Sequence, residues 1–459
     1  MSHLIAPARV LPTLNADGTR NRIRPRLYDG RLYRARRLVA WGLMALFIGL
    51  PLVRVHGKPA ILLDVVRRQF ILGGHTYLAT DGVLLMFLML GIFVGVVLTT
   101  ALVGRAWCGW GCPQTVYMEF LFRPIERLFE GPRENQLRID KHGGNLRRVL
   151  KNVVYLGLAF VLANVFLAYF VGTEALRRWM LEAPSQHVGG FTVVIATTGL
   201  VFFDFAYFRE QMCTVICPYA RIQSVLLDPK SLLIGYDARR GEPRSKGKAK
   251  TSGHGDCIDC QACVVACPTG IDIRQGLQLE CIACGQCADA CDSIMTRIHK
   301  PVGLIRYSSQ LALETGTPTS KLRPRVAIYA LVLAGLLAAL LLVGRSRPSA
   351  EITILRGLGA PFSVSGDQVV NQLRLKVTNR AESARDFNVA IVGMPQAKLV
   401  AAELPLRLAP SEQGSVSFFV MAPRSTLHGS RHVQLRVGDA IATELVSYTL
   451  LGPEGDAGP

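Results

Sequence analysis

Apolar stretches alternate along most of the chain with segments rich in charged and turn-forming residues. Each of these stretches approaches the roughly 20 residues that an α-helix needs to cross a hydrocarbon core about 30 Å thick. The first stretch is short and contains Pro51. The fourth contains Asp204, so a buried helix is the alternative for that stretch. The pattern predicts five transmembrane helices, at about residues 38–55, 82–103, 149–171, 189–208 and 326–344.

Beyond residue 345 the pattern changes to short alternating segments separated by Gly, Pro, Asn and Ser. Strings such as QLRLKVTN and HVQLRVGD place apolar side chains at every second position, which is the pattern of a half-buried strand. The length suits one immunoglobulin-like β-sandwich at 345–459. This stretch contains no cysteine, so its core must rest on packed side chains alone. Such a domain usually binds or docks another molecule.

Composition and charge agree with a membrane protein. Half of the 459 residues are hydrophobic, and the formal net charge is +19. Nucleic-acid binding is one source of such charge, but in a membrane protein Lys and Arg usually collect on the cytoplasmic side. Arginines crowd before the first stretch, whereas the connection at 172–188 offers only Arg177 and Arg178. We therefore expect a cytoplasmic amino terminus, no nucleic-acid partner and, with five spans, a periplasmic carboxyl-terminal domain.

All twelve cysteines fall in the two segments expected on the cytoplasmic side, 104–148 and 209–325. Disulfides need an oxidising compartment, so this placement indicates metal ligation or redox chemistry. Eight of the cysteines form a block that reads C-x2-C-x2-C-x3-C twice, the bacterial arrangement for two [4Fe–4S] clusters in which the fourth cysteine of each run ligates the other cluster. The spacing assigns Cys257, Cys260, Cys263 and Cys291 to one cluster, and Cys281, Cys284, Cys287 and Cys267 to the other.

Two details qualify this interpretation. A zinc ribbon also uses paired C-x2-C motifs, but zinc has no use for the third and fourth cysteine of each run. Pro268 follows Cys267 as the ferredoxin pattern expects, whereas Asp292 follows Cys291. The mismatch concerns the local geometry of that ligand and leaves its identity unchanged.

The other four cysteines form two C-x3-C-P motifs, WCGWGCPQ and CTVICPYA, each directly after an apolar stretch. The chain thus repeats a unit of two helices and one motif, and four such helices can pack as a bundle. Each proline favours an extended cysteine before it and a helix after it, so Cys112 and Cys217 are expected at helix amino termini, where thiolate is favoured. Soft thiolates suit Cu(I). A copper-handling or dithiol site is one interpretation, and cysteines that merely brace or pack helix ends are the other.

Two further features are less informative. His75 and His187 each precede the second helix of a unit on the outer side, where a haem or quinone site is conceivable, although loop histidines are usually solvated. The basic run at 236–250 is most simply a mobile linker to the cluster region.

Taken together, these motifs resemble the cytochrome c oxidase accessory proteins of the FixG/RdxA/CcoG type. The resemblance covers nearly the whole chain, from the basic arm through AWCGWGCPQTVYMEFLFRPIER, CTVICPYARIQ, GYDARRGEPR and the eight-cysteine block to the tail. It implies a protein of the bacterial inner membrane that reduces Cu(II) to Cu(I) for assembly of cbb-type cytochrome c oxidase. By position it implies cluster ligation by the eight cysteines of the block. It also assigns the role of the C-x3-C-P motifs to Cys108, Cys112, Cys213 and Cys217, and we interpret that role as catalysis and copper binding.

The expected architecture is a multi-domain membrane protein with an α-helical transmembrane bundle, an α+β ferredoxin domain and an all-β sandwich. Its expected partners are the lipid bilayer, copper, the oxidase or its assembly factors, and an unidentified electron donor. Two rival functions remain, a quinol-linked ferredoxin relay and a non-enzymatic, redox-sensing assembly scaffold. The expected regions are an amino-terminal arm at 1–37, a four-span region at 38–235, a linker and ferredoxin domain at 236–325, a fifth helix at 326–344 and the sandwich at 345–459.

Overall fold

The computed structural model describes residues 9–15, 17, 19–65, 69–78, 81–142, 146–245, 255–317, 323–346, 348–381, 383–439 and 443–453. The chain divides into two compact units, Met1–Leu340 and Leu341–Pro459. All twelve cysteines are free and lie in the first unit.

The amino-terminal arm is bound to the rest of the first unit. It forms a small hairpin, β1 (Arg9–Leu11) and β2 (Leu14–Asn15), and then leads to α1 (Arg31–Gly49). The carboxylate of Asp289, in the ferredoxin region, accepts hydrogen bonds from the backbone N–H groups of Leu32 (3.1 Å) and Tyr33 (2.7 Å). These groups belong to the first turn of α1, where an acidic partner is stabilising because of the helix dipole.

The first copy of the repeat begins with α1 and continues through a sheet to a second long helix and the first C-x3-C-P motif. Its strands and helices are β3 (Arg54–Val55), β4 (Lys58–Pro59), β5 (Ile61–Asp64), β6 (Gln69–Leu72), β7 (His75–Leu78), α2 (Gly82–Val103), α3 (Ala106–Trp110), α4 (Pro113–Tyr117), a π-helical segment (Met118–Phe122), α5 (Arg123–Glu130) and α6 (Arg133–His142). Strands β5, β6 and β7 form one antiparallel sheet.

The second copy of the repeat has the same order of two long helices followed by one C-x3-C-P motif. It comprises α7 (Leu146–Val171), α8 (Thr173–Leu181), α9 (Val188–Phe203), two π-helical segments (Asp204–Phe208 and Met212–Ile216) and α10 (Pro218–Leu226). Aromatic residues join the two copies of the repeat, since the rings of Phe122 and Phe205 stack with their centres 4.3 Å apart.

Four of the five predicted spans are helices long and apolar enough to cross a membrane, among the described residues: α2, α7, Val188–Phe208 and α15 (Pro324–Arg345). The predicted span at 38–55 is wrong in its bounds. The helix α1 begins at Arg31, carries several arginines in its first turns and ends at Gly49, before Pro51. Its uncharged part is short because a proline breaks the helical pattern.

A buried network of charges connects the second copy of the repeat to the first. Arg209 makes a two-pronged contact to Glu126, with Nη1–Oε1 at 2.9 Å and Nη2–Oε2 at 3.1 Å. Arg24 of the arm also pairs with Glu126, and Lys151 of α7 reaches Glu130 at 2.7 Å. Burial alone would raise the pKa of Glu126, but Arg209, Arg24 and Lys151 outweigh it and hold that pKa well below its ordinary value.

The ferredoxin region packs around a short antiparallel pair of strands. Its elements are β8 (Leu233–Tyr236), α11 (Ala238–Gly241), α12 (Ala262–Val265), a 3₁₀ turn (Ile273–Gln275), α13 (Gln286–Arg297), β9 (Ile305–Ser308) and α14 (Gln310–Thr315). The predicted mobile linker at 236–250 is wrong for its first part, because Arg240 pairs with Asp256 at 2.5 Å. Residues 246–250 lie outside the described ranges.

The second unit of the chain is a β-sandwich, which confirms the predicted fold class. Its strands are β10 (Ala350–Arg356), β11 (Ser363–Ser365), β12 (Gln368–Asn379), β13 (Arg385–Val392), β14 (Lys398–Ala401), β15 (Leu406–Leu408), β16 (Gln413–Pro423), β17 (Ser430–Gly438) and β18 (Thr443–Leu451). One sheet has the order β10-β12-β16-β14, with β11 on β12, and the other β15-β13-β17-β18. Alternate side chains, such as Leu373, Leu375 and Phe418, fill the core between them.

Candidate functional site

Two cavities in the ferredoxin region gather the eight cysteines of the block. One, here pocket A, is lined by Cys257, Cys260, Cys263 and Cys291. The other, pocket B, is lined by Cys267, Cys281, Cys284 and Cys287, with Cys263 between the two. Each pocket therefore combines three cysteines of one run with the fourth of the other.

The backbone of the two cysteine runs is the same at corresponding positions. The third and fifth residues of the first run, Asp259 and Gln261, have φ of 50° and 57°. The third and fifth residues of the second run, Ala283 and Gly285, have φ of 51° and 80°. Positive φ is uncommon outside glycine, so its recurrence indicates that both runs wrap the same kind of object. Four cysteine sulfurs in a tightly turned loop are the donor set of a [4Fe–4S] cluster, and the pockets fit that group.

The two C-x3-C-P motifs have matching backbone conformations where each begins and where each ends, although the first is α-helical between these points and the second π-helical. The first starts after Gly104 (φ 59°, ψ −128°) and the second after Arg209 (φ 55°, ψ −123°). In both copies the first cysteine comes four residues later. Cys112 and Cys217 are then extended, with ψ of 125° and 110°, and directly precede α4 and α10. The predicted repeat and the predicted helix starts are confirmed.

The four cysteines of these motifs, here the thiol site, lie near one another. Burial raises the pKa of Cys108 to about 12, and Cys112 and Cys217 add to the effect. Burial likewise raises the pKa of Cys213, with contributions from the other three thiols. Two motifs far apart in sequence thus form one site. Within the described ranges, no three His, Cys, Asp or Glu side chains converge as ligands of one metal ion.

Burial also corrects the expectation of a thiolate at the start of α4. The backbone N–H groups of Gln114 and Thr115 lower the pKa of Cys112, but desolvation is larger and the pKa is raised. Without a metal, burial therefore favours the thiol form of Cys108, Cys112 and Cys213. A soft cation would have to displace their protons, as metal binding by cysteine generally does.

Polar side chains lie beside the thiol site. The Cys108 thiol donates to Oε1 of Gln223 at 3.2 Å, and Nε2 of Gln223 donates to the carbonyl of Gly104 at 2.9 Å. Nε2 of Gln114 donates to Oδ1 of Asp204 at 3.0 Å. Asp204 thus reaches the thiol site, since its charge acts on the cysteines. Our reading of the sequence missed Gln114 and Gln223, although both lie within the repeated motif segments.

The thiol site directly abuts pocket B. A side-chain carbon placed on Gly109, between Cys108 and Cys112, would meet the Ile282 carbonyl oxygen at 2.5 Å and the Cys284 Cα at 2.9 Å. Only glycine permits this approach, because the neighbouring atoms are backbone. Arg105 spans the same junction by donating to the carbonyls of Ala220 (2.6 Å) and Cys281 (3.3 Å).

Two further contacts belong to this junction. Nε1 of Trp110 donates to the Tyr307 hydroxyl at 2.8 Å, and that hydroxyl donates to the Ala283 carbonyl at 2.6 Å. From the second motif, Cys213 shares a cavity with Pro268 and Thr269, the two residues after a cysteine of pocket B. Both motifs therefore meet pocket B and not pocket A.

His75 and His187 lie in separate surroundings. The ring of His75 neighbours that of His56, with centres 6.4 Å apart. His187 contacts Glu182 and the ring of Trp179. The structure does not join them into one haem or quinone site.

Comparisons with known protein families match three parts of the chain. Residues 208–310 match a model described as "4Fe-4S dicluster domain". Residues 85–132, in which Cys108 and Cys112 are the only cysteines, match "4Fe-4S binding domain". Residues 340–453 match a model described as an "IG-like fold at C-terminal of FixG".

Similar proteins cover most of the chain. Protein RdxA of Cereibacter sphaeroides is 34% identical over 89% of this chain and 90% of its own. Nitrogen fixation protein FixG of Rhizobium meliloti is 33% identical over 83% of this chain and 81% of its own. A crystal structure of a FixG-related protein from Vibrio parahaemolyticus covers 23% of this chain and 97% of its own, with 19% identity and a TM-score of 0.21.

Proposed function

The chain belongs to the family of RdxA and FixG and is a membrane iron–sulfur electron-transfer protein, and on that premise we propose that it reduces Cu(II) to Cu(I). The reduced copper would serve the assembly of a cbb-type cytochrome c oxidase. The electrons would come from a cytoplasmic donor, and the thiol site would present copper to them. The reaction requires one electron for each Cu(II).

The observation that carries this proposal is the junction between the thiol site and pocket B. Gly109 brings the first C-x3-C-P loop into backbone contact with the loop of Cys284. A pair of motifs that only braced helix ends would not need this approach. The junction is the arrangement expected if electrons leave pocket B toward the thiols.

We assign cluster ligation to the eight cysteines of pockets A and B. When bound, each [4Fe–4S] cluster supplies a one-electron carrier. The protein supplies the geometry: the tight turns at Asp259 and Ala283 fold each cysteine run, and the close contact at Gly109 keeps the thiols beside pocket B.

We assign copper binding to Cys108, Cys112, Cys213 and Cys217. Thiolates stabilise Cu(I) more than Cu(II), so binding of copper by these sulfurs favours the reduced product. Gln223 orients the Cys108 sulfur through its hydrogen bond. Because burial favours the protonated form of Cys108, Cys112 and Cys213, copper binding would release protons at the membrane face.

We propose that the amino terminus and the ferredoxin region are cytoplasmic and that the sandwich is periplasmic in the bacterial inner membrane. This requires α1 to cross as a fifth helix together with the residues after it. The packing of α1 supports a crossing helix. Toward the start of α1, Arg36 contacts Gly109 of the first C-x3-C-P motif. Near the end of α1, the Phe47 carbonyl accepts a hydrogen bond at 2.7 Å from the hydroxyl of Tyr169, which lies near the end of α7.

Paired serine variants test the proposal. In Cys108→Ser/Cys112→Ser and in Cys213→Ser/Cys217→Ser, serine keeps much of the volume but lacks the soft sulfur. We expect normal iron content and sharply reduced Cu(II) reduction by the anaerobic protein. Normal activity per intact molecule would leave only a bracing role for these cysteines. Loss of iron would make them cluster ligands, in line with the family model matched at 85–132.

A further inference from the structure

Arg36 of α1 is a buried cation with an unusual lack of partners. Only 1% of the residue is exposed. Its Nε donates to the Gly109 carbonyl at 2.9 Å, and its guanidinium lies 5.3 Å from the centre of the Phe120 ring. Its two terminal nitrogens, Nη1 and Nη2, have no hydrogen-bond partner among the described residues. Burying a charge in this way is costly unless a negative group faces it.

The carboxylates near Arg36 are engaged elsewhere. Both oxygens of Asp289 accept backbone N–H groups at the start of α1. Glu119 pairs with Arg123. Arg36 is linked to pocket B through Gly109, because the Gly109 carbonyl accepts its hydrogen bond and a side-chain carbon placed on Gly109 would meet the Cys284 Cα at 2.9 Å. The unpaired guanidinium therefore lies on a residue that contacts the backbone of pocket B.

Pocket A has a cation as well, but that cation is neutralised. Arg274 lines pocket A. It pairs with Asp259 at 2.5 Å and with Asp272 at 2.7 Å. Two carboxylates thus cancel the field of Arg274, whereas the field of Arg36 has no ion-pair partner within the described residues. The arginines beside the two pockets thus differ in their pairing although the cysteine sets are alike.

We propose that Arg36 is a redox-tuning residue that sets the reduction potential of the cluster in pocket B above that of the cluster in pocket A. This inference rests on the proposed ligation of two clusters by the eight cysteines. Reduction adds a negative charge to a cluster, so an uncompensated cation nearby favours the reduced form. Hydrogen bonds to cluster sulfurs act in the same direction, and a guanidinium can supply them.

The inference gives electron flow a direction. Cys260 of pocket A is the exposed cysteine of the block, whereas pocket B meets the thiol site. A donor therefore has access to pocket A, and a higher potential in pocket B draws electrons toward the thiols. A residue of α1 would thus control a transfer that takes place in the ferredoxin region.

An anaerobic redox titration followed by electron paramagnetic resonance tests the inference. The variants are Arg36→Gln, Arg36→Lys and, as the matched control, Arg37→Gln, which removes the same charge one residue away where the side chain is exposed. Cys260→Ser and Cys284→Ser identify which signal belongs to which pocket. In Arg36→Gln the ratio of reduced to oxidised cluster in pocket B should fall at least tenfold at a fixed ambient potential, which corresponds to about 59 mV for a one-electron couple.

The other variants and the unmodified protein complete the test. The signal of pocket A should stay unchanged in Arg36→Gln, both signals should stay unchanged in Arg37→Gln, and Arg36→Lys should shift pocket B less than Arg36→Gln. Equal shifts of both clusters, or none, would overturn the inference. Should Arg36→Gln lose its iron, the unmodified protein decides: the pocket B cluster must titrate at the higher potential, and equal or reversed potentials refute the inference. A protein without two clusters would instead refute the proposed function.

Discussion

Replacing Gly109 by alanine perturbs the junction between the thiol site and pocket B without removing any sulfur. The residue lies in α3 with ordinary helical backbone, so alanine is acceptable for the local conformation. Its Cβ, however, would lie 2.5 Å from the Ile282 oxygen, 2.9 Å from the Cys284 Cα and 3.0 Å from the Ala283 carbonyl carbon. All three are backbone atoms, so no side chain can move aside.

The size of the effect follows from these distances. Ordinary contacts begin at 3.4 Å, so the two loops must part by roughly 0.9 Å. Overpacking of this kind costs about 1–3 kcal/mol. A misplacement of about 1 Å can lower a rate on the order of 10²-fold when geometry controls the step. We therefore expect the oxidation of prereduced protein by Cu(II) to slow by about tenfold to 10²-fold.

The assay is a stopped-flow measurement. Protein reduced with dithionite and freed of excess reductant is mixed with Cu(II), and the recovery of the iron–sulfur absorption is followed. Gly157→Ala is the matched control, since the same change there, in α7, meets nothing within 4 Å. An unchanged rate in Gly109→Ala, with intact clusters, would refute the idea that electrons cross this junction.

Three further predictions concern cofactors, topology and stability. Anaerobic protein should contain about eight iron atoms per chain, and Cys260→Ser or Cys284→Ser should each lose about four by metal analysis; zinc in place of iron would reject the assignment. A reporter fused after Pro459 should be active only in its periplasmic form, and one within 245–252 only in its cytoplasmic form. Glu126→Gln should cost about 3–5 kcal/mol of unfolding free energy in denaturant titrations, because it leaves buried cations unpaired. The contribution of Glu126, whose folded-state pKa is lowered, should be present above its ordinary pKa and lost as the pH falls.

The elements predicted best from sequence are those with one dominant local signal. Long apolar runs predicted α2, α7 and α15, and strict alternation predicted strands such as β12, because burial imposes these periods directly. The span at 38–55 was placed wrongly because arginines and apolar residues share one helix there. One of these arginines, Arg36, is buried against protein and donates to the Gly109 carbonyl.

The site was predictable in its ligands but not in its environment. Spacing within a run of cysteines reflects the cluster that it wraps, so both pockets could be proposed from the pattern. The proximity of Cys108 to Cys213, and the contact of both motifs with pocket B, come from long-range packing between segments far apart in sequence. No local pattern encodes such contacts. The burial that raises the thiol pKa values was missed for the same reason.

The central claim is that the four thiols of the thiol site give copper its access to the electrons of the protein. The most direct measurement compares the unmodified protein with a variant in which Cys108, Cys112, Cys213 and Cys217 are all serine. Both are reduced anaerobically and mixed with Cu(II), and the rate of Cu(I) formation is followed with a Cu(I)-specific chelator. We predict a full iron content in both and rapid formation of Cu(I) by the unmodified protein alone. Equally rapid formation of Cu(I) by a stable variant with intact clusters would contradict the account.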